Sequence, residues 1–225
     1  MTGRNVIRKS IRKLKRAVGL RLGVLIRSLD EELDRRSLPG FANSPKNLHF
    51  QTPRRISNAN CIWIGDDVSL GPGCLLSATR RYPGNFMQGA PQITQQEFEP
   101  EIHIGNRVSA TGYLTIGAAN RVEIGDDALL ASHIFISDNQ HGHSRVDLPY
   151  KYQPLEKIAP VIIGAGCWIG EHVVIMPGVT IGEMSIVGAN SVVTQSVPAR
   201  SIVVGSPARV IRQWDSAEEN WVSPT

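Results

Sequence analysis

Residues 163–193 read I-GAGCWI-GEHVVI-MPGVTI-GEMSIV-GANSVV, with an aliphatic residue at every sixth position. The same interval recurs in three earlier runs, and glycine directly follows the aliphatic residue in most of these hexads. The fifteen aliphatic positions are Ile64, Leu70, Leu76, Ile104, Ala110, Ile116, Ile124, Leu130, Ile136, Ile163, Ile169, Ile175, Ile181, Val187 and Val193. This six-residue period is the strongest signal in the chain.

A period of six fits neither an α-helix nor a β-meander. Six residues are not a whole number of helical turns, so the aliphatic residues would rotate off any one helix face. A meander alternates apolar and polar residues and is interrupted by turns at variable intervals. Six-residue repeats are typical of a parallel β-helix, in which each hexad forms one short strand and one corner. The sequence therefore predicts about five triangular coils whose aliphatic residues stack inside.

A small residue commonly stands four positions after the aliphatic one, where it suits a second, tighter inward site. Cys74 and Cys167 occupy such positions. The chain has three cysteines, and their odd number and wide spacing argue against a disulfide framework and against a zinc knuckle. We therefore expect small core residues in a reducing, cytoplasmic setting.

The chain divides into three predicted parts. Residues 1–40 contain a basic amphipathic helix over 5–36, with apolar residues at spacings of three and four and Arg or Lys between them. Residues 41–213 form the β-helix, and residues 214–225 form a C-terminal tail. Residues 5–29 suit an anionic membrane surface, although capping the coil or packing in an oligomer is an equal alternative. No signal-peptide pattern and no apolar run long enough to span a membrane is present.

Two segments break the repeat. Residues 77–101 are rich in Gln, Pro and Gly, and residues 138–160 carry His141 and His143. A smaller slip of two residues lies between Ile116 and Ile124. Loops that leave a repeat scaffold are where function concentrates, so we expect the reactive side chains in these segments.

The hexads, the stretch WIGEHVVIMPGVTIG at 168–182 and the ending VPARSIVVGSPARVI at 197–211 resemble the hexapeptide-repeat acyltransferases. The resemblance covers roughly residues 56–213. It is strongest to galactoside and maltose O-acetyltransferases and to bacterial polysaccharide O-acetyltransferases. It implies a left-handed β-helix and a homotrimer with active sites between neighbouring subunits. It also implies acetyl-CoA as co-substrate, with no metal and no nucleic-acid partner.

The resemblance also implies direct acetyl transfer to a hydroxyl, with a loop histidine as general base. That position falls on His141, in SDNQHG at 137–142, and His143 is its rival. An imidazole whose pKa is near neutrality can take the hydroxyl proton as the new bond forms. Such a base needs a partner on its other nitrogen, for which Asp138, Glu156 or a backbone carbonyl are the candidates.

Contacts to CoA carry over by position from the same family. The matching residues are Trp168, Glu171, Ala189, Thr194, Gln195, Arg209 and Arg212. Glu171 stands where the galactoside enzymes have a serine near the thioester, and Gln195 stands where the family has a lysine. Arg209 and Arg212 suit the phosphates of CoA, although a solvated basic tail is the alternative reading.

The expected activity is acetyl-CoA-dependent O-acetylation of a sugar hydroxyl. Thr111 and Ala119 occupy positions where the galactoside enzymes bind sugar, so we expect a larger glycan or a lipid-linked oligosaccharide. The enzyme would work in the cytoplasm, in part at the inner membrane face. N-acylation of an amino sugar is the nearest competing reaction. A γ-type carbonic anhydrase, which needs three histidine ligands, and a non-catalytic β-helix remain as further alternatives.

Overall fold

The computed structural model describes residues 13, 18–22, 24–25, 28–29, 32–83 and 95–224. The chain separates into two compact units, Met1–Leu38 and Pro39–Thr225. Within the first unit the described residues from 13 to 36 are helical, including 18–22 and 32–36. The other positions of the helix predicted over 5–36 lie outside the described residues. Among those described, no helix is both long enough and apolar enough to cross a membrane.

The second unit is built almost entirely from short strands. The first twelve are β1 His49–Phe50, β2 Arg54–Ser57, β3 Ile62–Ile64, β4 Ser69–Leu70, β5 Cys74–Ala78, β6 Arg81–Tyr82, β7 Gln96–Glu97, β8 Glu101–Ile104, β9 Ser109–Gly112, β10 Thr115–Ala118, β11 Arg121–Ile124 and β12 Leu129–Ser132. The next twelve are β13 Phe135–Ser137, β14 Gln140–His141, β15 Leu155–Glu156, β16 Val161–Ile163, β17 Trp168–Ile169, β18 Val174–Ile175, β19 Thr180–Ile181, β20 Ile186–Val187, β21 Val192–Val193, β22 Ser201–Gly205, β23 Ala208–Asp215 and β24 Asn220–Val222. Among the described residues, short 3₁₀ helices at Ala59–Cys61 and Tyr150–Tyr152 interrupt them.

Three sheets form the sides of a left-handed parallel β-helix, which is the predicted fold class. Their orders are β1-β4-β9-β12-β17-β20-β22-β23-β24, β2-β5-β10-β13-β18-β21 and β19-β16-β11-β8-β3. The six-stranded side gives six coils, one more than the sequence predicts. The additional coil contains β1 and β2, which precede Asn60, where the hexads become recognisable in the sequence.

The core consists of aliphatic ladders in exact register. On one side, Ile104, Ile124, Ile163 and Ile181 are successive partners and are all nearly inaccessible to solvent. Each such side chain contributes roughly 1.5–3 kcal/mol through burial. The inward aliphatic positions predicted from the period are therefore confirmed.

Glycine follows these residues because the corners of successive coils touch. A Cβ added at Gly125 would lie 2.6 Å from the backbone nitrogen of Ala165, and one at Gly164 would lie 2.5 Å from that of Glu183. Both distances are shorter than a side chain tolerates, so a larger residue would push adjacent coils apart.

Cys74 and Cys167 are core residues, as predicted. Cys61, Cys74 and Cys167 are buried and free. The thiols of Cys74 and Cys167 lie 3.1 Å from the carbonyl oxygens of Gly71 and Gly182, and burial raises the pKa of both thiols. Because the thiolate is the reactive form, these two cysteines are inert at neutral pH.

The C-terminal residues extend a sheet rather than forming a plain tail. Strand β23 turns back against β22, and β24 pairs with β23 in the opposite direction. Trp214 and Trp221 meet edge to face, with ring centroids 5.5 Å apart. The tail predicted over 214–225 therefore contains the end of β23 and all of β24, which no hexad in the sequence indicates.

Candidate active site

Both segments that break the repeat leave the coil as antiparallel hairpins. Strands β6 and β7 form the first hairpin, and residues 84–94 between them lie outside the described part of the chain. Strands β14 and β15 form the second hairpin, in which His141 is paired with Leu155. The functional histidine predicted from the sequence therefore lies on a short strand that is held on one side by β15.

The two hairpins also hold each other. The side-chain amide of Gln96 donates to the carbonyl of Leu155 at 3.1 Å, and the Leu155 N–H donates to Gln96 Oε1 at 2.7 Å. Beneath this pair, Tyr82, Ala119 and Leu155 form a small buried cluster against which Phe98 and Ile158 pack. The first hairpin thereby positions the strand that carries His141.

The contact that orients His141 comes from Tyr82. The Tyr82 hydroxyl oxygen lies 3.1 Å from Nδ1 of His141, and the two rings meet edge to face with centroids 5.4 Å apart. The same hydroxyl donates its only proton to the backbone carbonyl of Lys151. Since a carbonyl oxygen cannot donate, the Tyr82 oxygen must accept its second hydrogen bond from the Nδ1–H of His141.

This arrangement selects one tautomer of the neutral imidazole. With the proton on Nδ1, the lone pair is on Nε2, and His141 is exposed. Tyr82 itself is only 6% exposed, and burial raises the pKa of its phenol. Tyr82 therefore keeps its proton at neutral pH and goes on donating it to Lys151.

Asp138, one of the candidates for orienting His141, bonds to other groups in the structure. Asp138 is fully buried, and its carboxylate accepts hydrogen bonds from the backbone N–H groups of Ala119 at 2.8 Å and Asn120 at 2.7 Å. The Asn139 side-chain amide donates a third bond at 2.7 Å. Ala119 and Asn120 lie in the two-residue slip noted in the sequence. Asp138 therefore stabilises an enlarged corner of the coil.

The Glu156 carboxylate lies near His143. Its Oε2 lies 4.0 Å from Nδ1 of His143, and no hydrogen bond or ion pair joins it to His141 in the described part of the chain. Gly142 lies between the two histidines, and a Cβ there would meet Glu156 Oε1 at 2.8 Å. Neither candidate carboxylate contacts the His141 imidazole among the described residues, and the side-chain partner of its Nδ1 is Tyr82. No sequence signal identifies Tyr82, because it stands in a segment without periodicity, 59 residues from His141.

The residues predicted to contact CoA lie on the outside of the coil and on the C-terminal hairpin. Trp168 is exposed on an outward row, in register with Leu129 and Ile186. The remaining predicted residues are also exposed, namely Glu171, Ala189, Thr194, Gln195, Arg209 and Arg212. No hydrogen bond among the described residues joins this set to His141.

The two arginines of this set are available cations. Arg209 donates to the Ala208 carbonyl at 2.8 Å, and Arg212 donates to the Ser223 hydroxyl at 3.3 Å. Neither forms an ion pair with a carboxylate among the described residues. Their guanidinium groups can therefore bind a phosphate without first breaking a salt bridge.

An open cavity of about 990 Å³ lies beside the first hairpin. Its lining includes Asn58, Thr79, Arg80, Arg81 and Phe98, and His141 is not among the lining residues. The exposed imidazole is thus outside this concave surface.

Comparison with known proteins places these features in context. Residues 160–195 match the bacterial transferase hexapeptide (six repeats) family. A candidate lipopolysaccharide biosynthesis O-acetyl transferase of Escherichia coli K12, WbbJ, is 36% identical over 75% of this chain and 80% of its own length. The galactoside O-acetyltransferase of the same strain is 38% identical over 53% of this chain and 58% of its own length.

Among solved structures, a variant of AntD from Bacillus cereus is similar, with a TM-score of 0.63 and 26% identity. The alignment covers 84% of this chain and 90% of that one. AntD is an N-acyltransferase, and it was crystallised with dTDP and coenzyme A. The alignment therefore covers most of both folds, and not only a short shared segment.

Proposed function

The chain belongs to the hexapeptide-repeat acyltransferases, and from this premise we propose that it transfers an acetyl group from acetyl-CoA to a sugar hydroxyl, with His141 as general base. The observation that carries the proposal is the anchored imidazole. Tyr82 holds Nδ1 of His141 at 3.1 Å and leaves Nε2 unprotonated on an exposed residue. This is the protonation state that a general base requires.

In the proposed reaction the acceptor hydroxyl loses its proton to Nε2 of His141 while its oxygen attacks the thioester carbonyl. The tetrahedral intermediate then collapses with cleavage of the C–S bond. The proton on Nε2 passes to the departing thiolate, and the products are an acetyl ester and CoA. During the step in which the imidazole is positively charged, the Tyr82 oxygen still accepts from Nδ1–H, so the ring orientation does not change.

We assign Arg209 and Arg212 to the phosphates of CoA. Both guanidinium groups are exposed, and neither is paired with a described carboxylate. Trp168 offers an exposed indole on the outward row of the coil, where an extended apolar arm could pack. Ala189, Thr194 and Gln195 lie exposed in the sequence between these two groups. The assignments of Glu171 and of these three residues rest on the family resemblance.

We also assign a homotrimer to the active form. Leu129 and Trp168 are register partners and are 50% and 51% exposed, and Phe135 is 45% exposed on the adjoining sheet. Half-exposed large apolar side chains on a rigid sheet face favour burial against another subunit. A neighbouring subunit would also supply a wall beside the exposed His141. Light scattering of the purified protein measures the oligomeric state directly.

The acceptor that we propose is a glycan or lipid-linked oligosaccharide of bacterial polysaccharide synthesis. WbbJ, by its name, acts in lipopolysaccharide biosynthesis. The helical unit exposes Leu20, Leu22 and Leu25 among basic residues, which suits binding to an anionic membrane surface. This assignment implies a cytoplasmic enzyme that acts in part at the inner face of the membrane.

N-acylation of an amino sugar is the second candidate, and one observation favours it. AntD, whose fold matches nearly the whole chain, is an N-acyltransferase. The two reactions differ in their need for a base, because a neutral amine attacks without prior loss of a proton. Loss of His141 would therefore affect ester formation more than amide formation.

The test is a measurement of acetyl-CoA consumption with matched acceptors. One series contains glycans with free hydroxyls, and the other contains the corresponding amino sugars. Hydroxylamine cleaves the ester product and leaves the amide intact. We expect acceptor-dependent release of CoA and a hydroxylamine-labile product. An exclusively hydroxylamine-resistant product, or CoA release that does not depend on any acceptor, would contradict O-acetylation.

A further inference from the structure

One cluster of ligand-type side chains lies outside the chemistry proposed above. His133, Glu171 and His172 each offer one nitrogen or carboxylate oxygen, and these atoms all lie within 4.8 Å of one another. All three residues are exposed. Glu171 enters the preceding section only through its family position, and the two histidines have no role there.

The fold itself brings the histidines together. The backbone N–H of His172 donates to the Ser132 carbonyl at 3.0 Å, which places residues 133 and 172 at the same corner of successive coils. Both residues have positive φ, 59° and 56°, so their side chains leave the corner in the same direction. The rings lie with centroids 4.7 Å apart and planes inclined by 22°. The spacing between coils therefore sets the spacing between the imidazoles.

The His133 and His172 rings stack on each other, but the three side chains share no hydrogen bond or ion pair among the described residues. Among the described residues, neither imidazole accepts or donates a hydrogen bond through its side chain, and Glu171 forms no ion pair. On the far side, the Tyr113 ring stacks on His133 with centroids 4.5 Å apart. This contact supports the His133 ring and leaves its in-plane nitrogens available. The ligand atoms of the three side chains are therefore close together and open to a shared ion.

We propose that His133, Glu171 and His172 bind one divalent transition-metal ion, with Zn²⁺ as the preferred ion. Two imidazoles and one carboxylate form a ligand set that suits zinc and its neighbours, whereas Mg²⁺ and Ca²⁺ require mainly oxygen ligands. Three protein ligands leave a fourth position for water. Ligand atoms about 2.05 Å from the metal in a tetrahedral site lie roughly 3.3 Å from one another. The exposed side chains therefore rotate toward each other when the ion binds.

All three ligands come from one chain, so the site does not depend on the proposed trimer. The site also does not depend on the proposed acetyl transfer, because binding is measured without substrate. The metal joins two successive coils at one corner. It is therefore expected to stabilise the folded chain in proportion to its occupancy.

The experiment is a calorimetric titration of the full-length chain with Zn²⁺ after removal of the affinity tag and treatment with a chelator. We expect one ion per chain at neutral pH and no comparable heat with Mg²⁺. The binding variants are His133→Asn, His172→Asn and Glu171→Gln. Asparagine is used because it tolerates the positive φ at both histidine positions.

Each binding variant should weaken Zn²⁺ binding at least about tenfold, in the range seen when a group that supports a metal site is removed. The matched control is His143→Asn, which removes an exposed histidine that also lies near a glutamate and should leave affinity unchanged. Thermal melts recorded by circular dichroism establish that all four variants are folded. Absence of binding at millimolar Zn²⁺, or equal affinity in the wild-type protein and the three binding variants, would overturn the proposal.

Discussion

The coil and the two hairpins that leave it are built on different principles. In the coil, each side chain repeats the environment of its counterpart one turn away, as along the ladder of Ile104, Ile124, Ile163 and Ile181. In the hairpins, each important contact occurs once. Tyr82 meets His141, and Gln96 meets the backbone of Leu155. The repeated part supplies stability, and the unrepeated part supplies the imidazole that we propose as general base.

This difference implies that stability and activity separate by region. A substitution inside the coil should lower the melting temperature and leave the chemistry of the folded fraction intact. A substitution of a solvent-facing hairpin residue should lower turnover and leave the melting temperature unchanged. Asp138 is the informative exception, because it lies in the second segment that breaks the repeat and yet supports a corner of the coil.

The largest effect is expected at His141. Replacement by asparagine removes the general base, and turnover should fall by about two to four orders of magnitude. The melting temperature should stay the same, since the side chain is exposed. His143→Asn is the matched control two residues away and should retain wild-type turnover. Equal losses in both variants would show that the hairpin, rather than one imidazole, was disturbed.

Next in size is the removal of a core side chain from the coil. Ile175 is fully buried between Ile136 and Val193, and Ile175→Ala should cost about 2–5 kcal/mol. The effect appears as a lower melting temperature at fixed protein concentration, with turnover per folded molecule unchanged. Val174→Ala, on the outward side of the same strand, is the control and should cost much less. Similar losses at the two positions would contradict the inward and outward assignment.

Asp138→Ala tests the corrected role of the buried carboxylate. The variant leaves the N–H groups of Ala119 and Asn120 without their acceptor, at a cost of about 1–3 kcal/mol for each unsatisfied group. Asp138→Asn retains one acceptor oxygen and should be less destabilised. The pH dependence of acetyl transfer should keep its midpoint in both variants. A shifted midpoint without loss of stability would return Asp138 to the role of orienting His141.

Tyr82→Phe tests the contact between the two hairpins with a smaller change. The ring continues to fill the cluster with Ala119 and Leu155, while the hydroxyl that accepts from His141 is lost. Loss of this hydrogen bond should raise the activation free energy by about 1 kcal/mol, which corresponds to a roughly fivefold lower turnover. The KM for acetyl-CoA should not change. Tyr150→Phe, at an exposed tyrosine of the segment that carries His141, is the control, and an equal loss there would remove the special role of Tyr82.

The smallest effect is expected at Glu156. Its oxygen is 4.0 Å from the exposed His143 imidazole, and such surface pairs contribute less than about 1 kcal/mol. Glu156→Gln should therefore change the melting temperature by little and turnover by less than about twofold. A loss of turnover close to that of His141→Asn would mean that Glu156 acts on the base after all.

The same difference between regions explains what the sequence could predict. The inward positions and the burial of Cys74 and Cys167 follow from the period. The catalytic role of His141, which rests on the break in the period and the family resemblance, stays a prediction. The coil that begins at His49 was missed because its residues lack the aliphatic-glycine hexad. Strand β24 was missed for the same reason.

Tyr82 and the true partners of Asp138 could not be predicted for a further reason. Tyr82 is 59 residues from His141, and Asp138 is 19 residues from Ala119. Each of these contacts depends on how one unrepeated segment folds back, and the period carries no information about it. Proximity in sequence therefore offers Asp138 as a candidate partner of His141, whereas the structure gives that contact to Tyr82.

The most direct test of the central claim is the ¹⁵N NMR spectrum of the His141 imidazole at a pH where the ring is neutral. The resonances are assigned by their absence from His141→Asn. The account predicts a protonated Nδ1 and an unprotonated Nε2, with this preference weakened in Tyr82→Phe. A proton on Nε2 in the wild-type protein would contradict it, because the nitrogen that is meant to accept the substrate proton would already carry one.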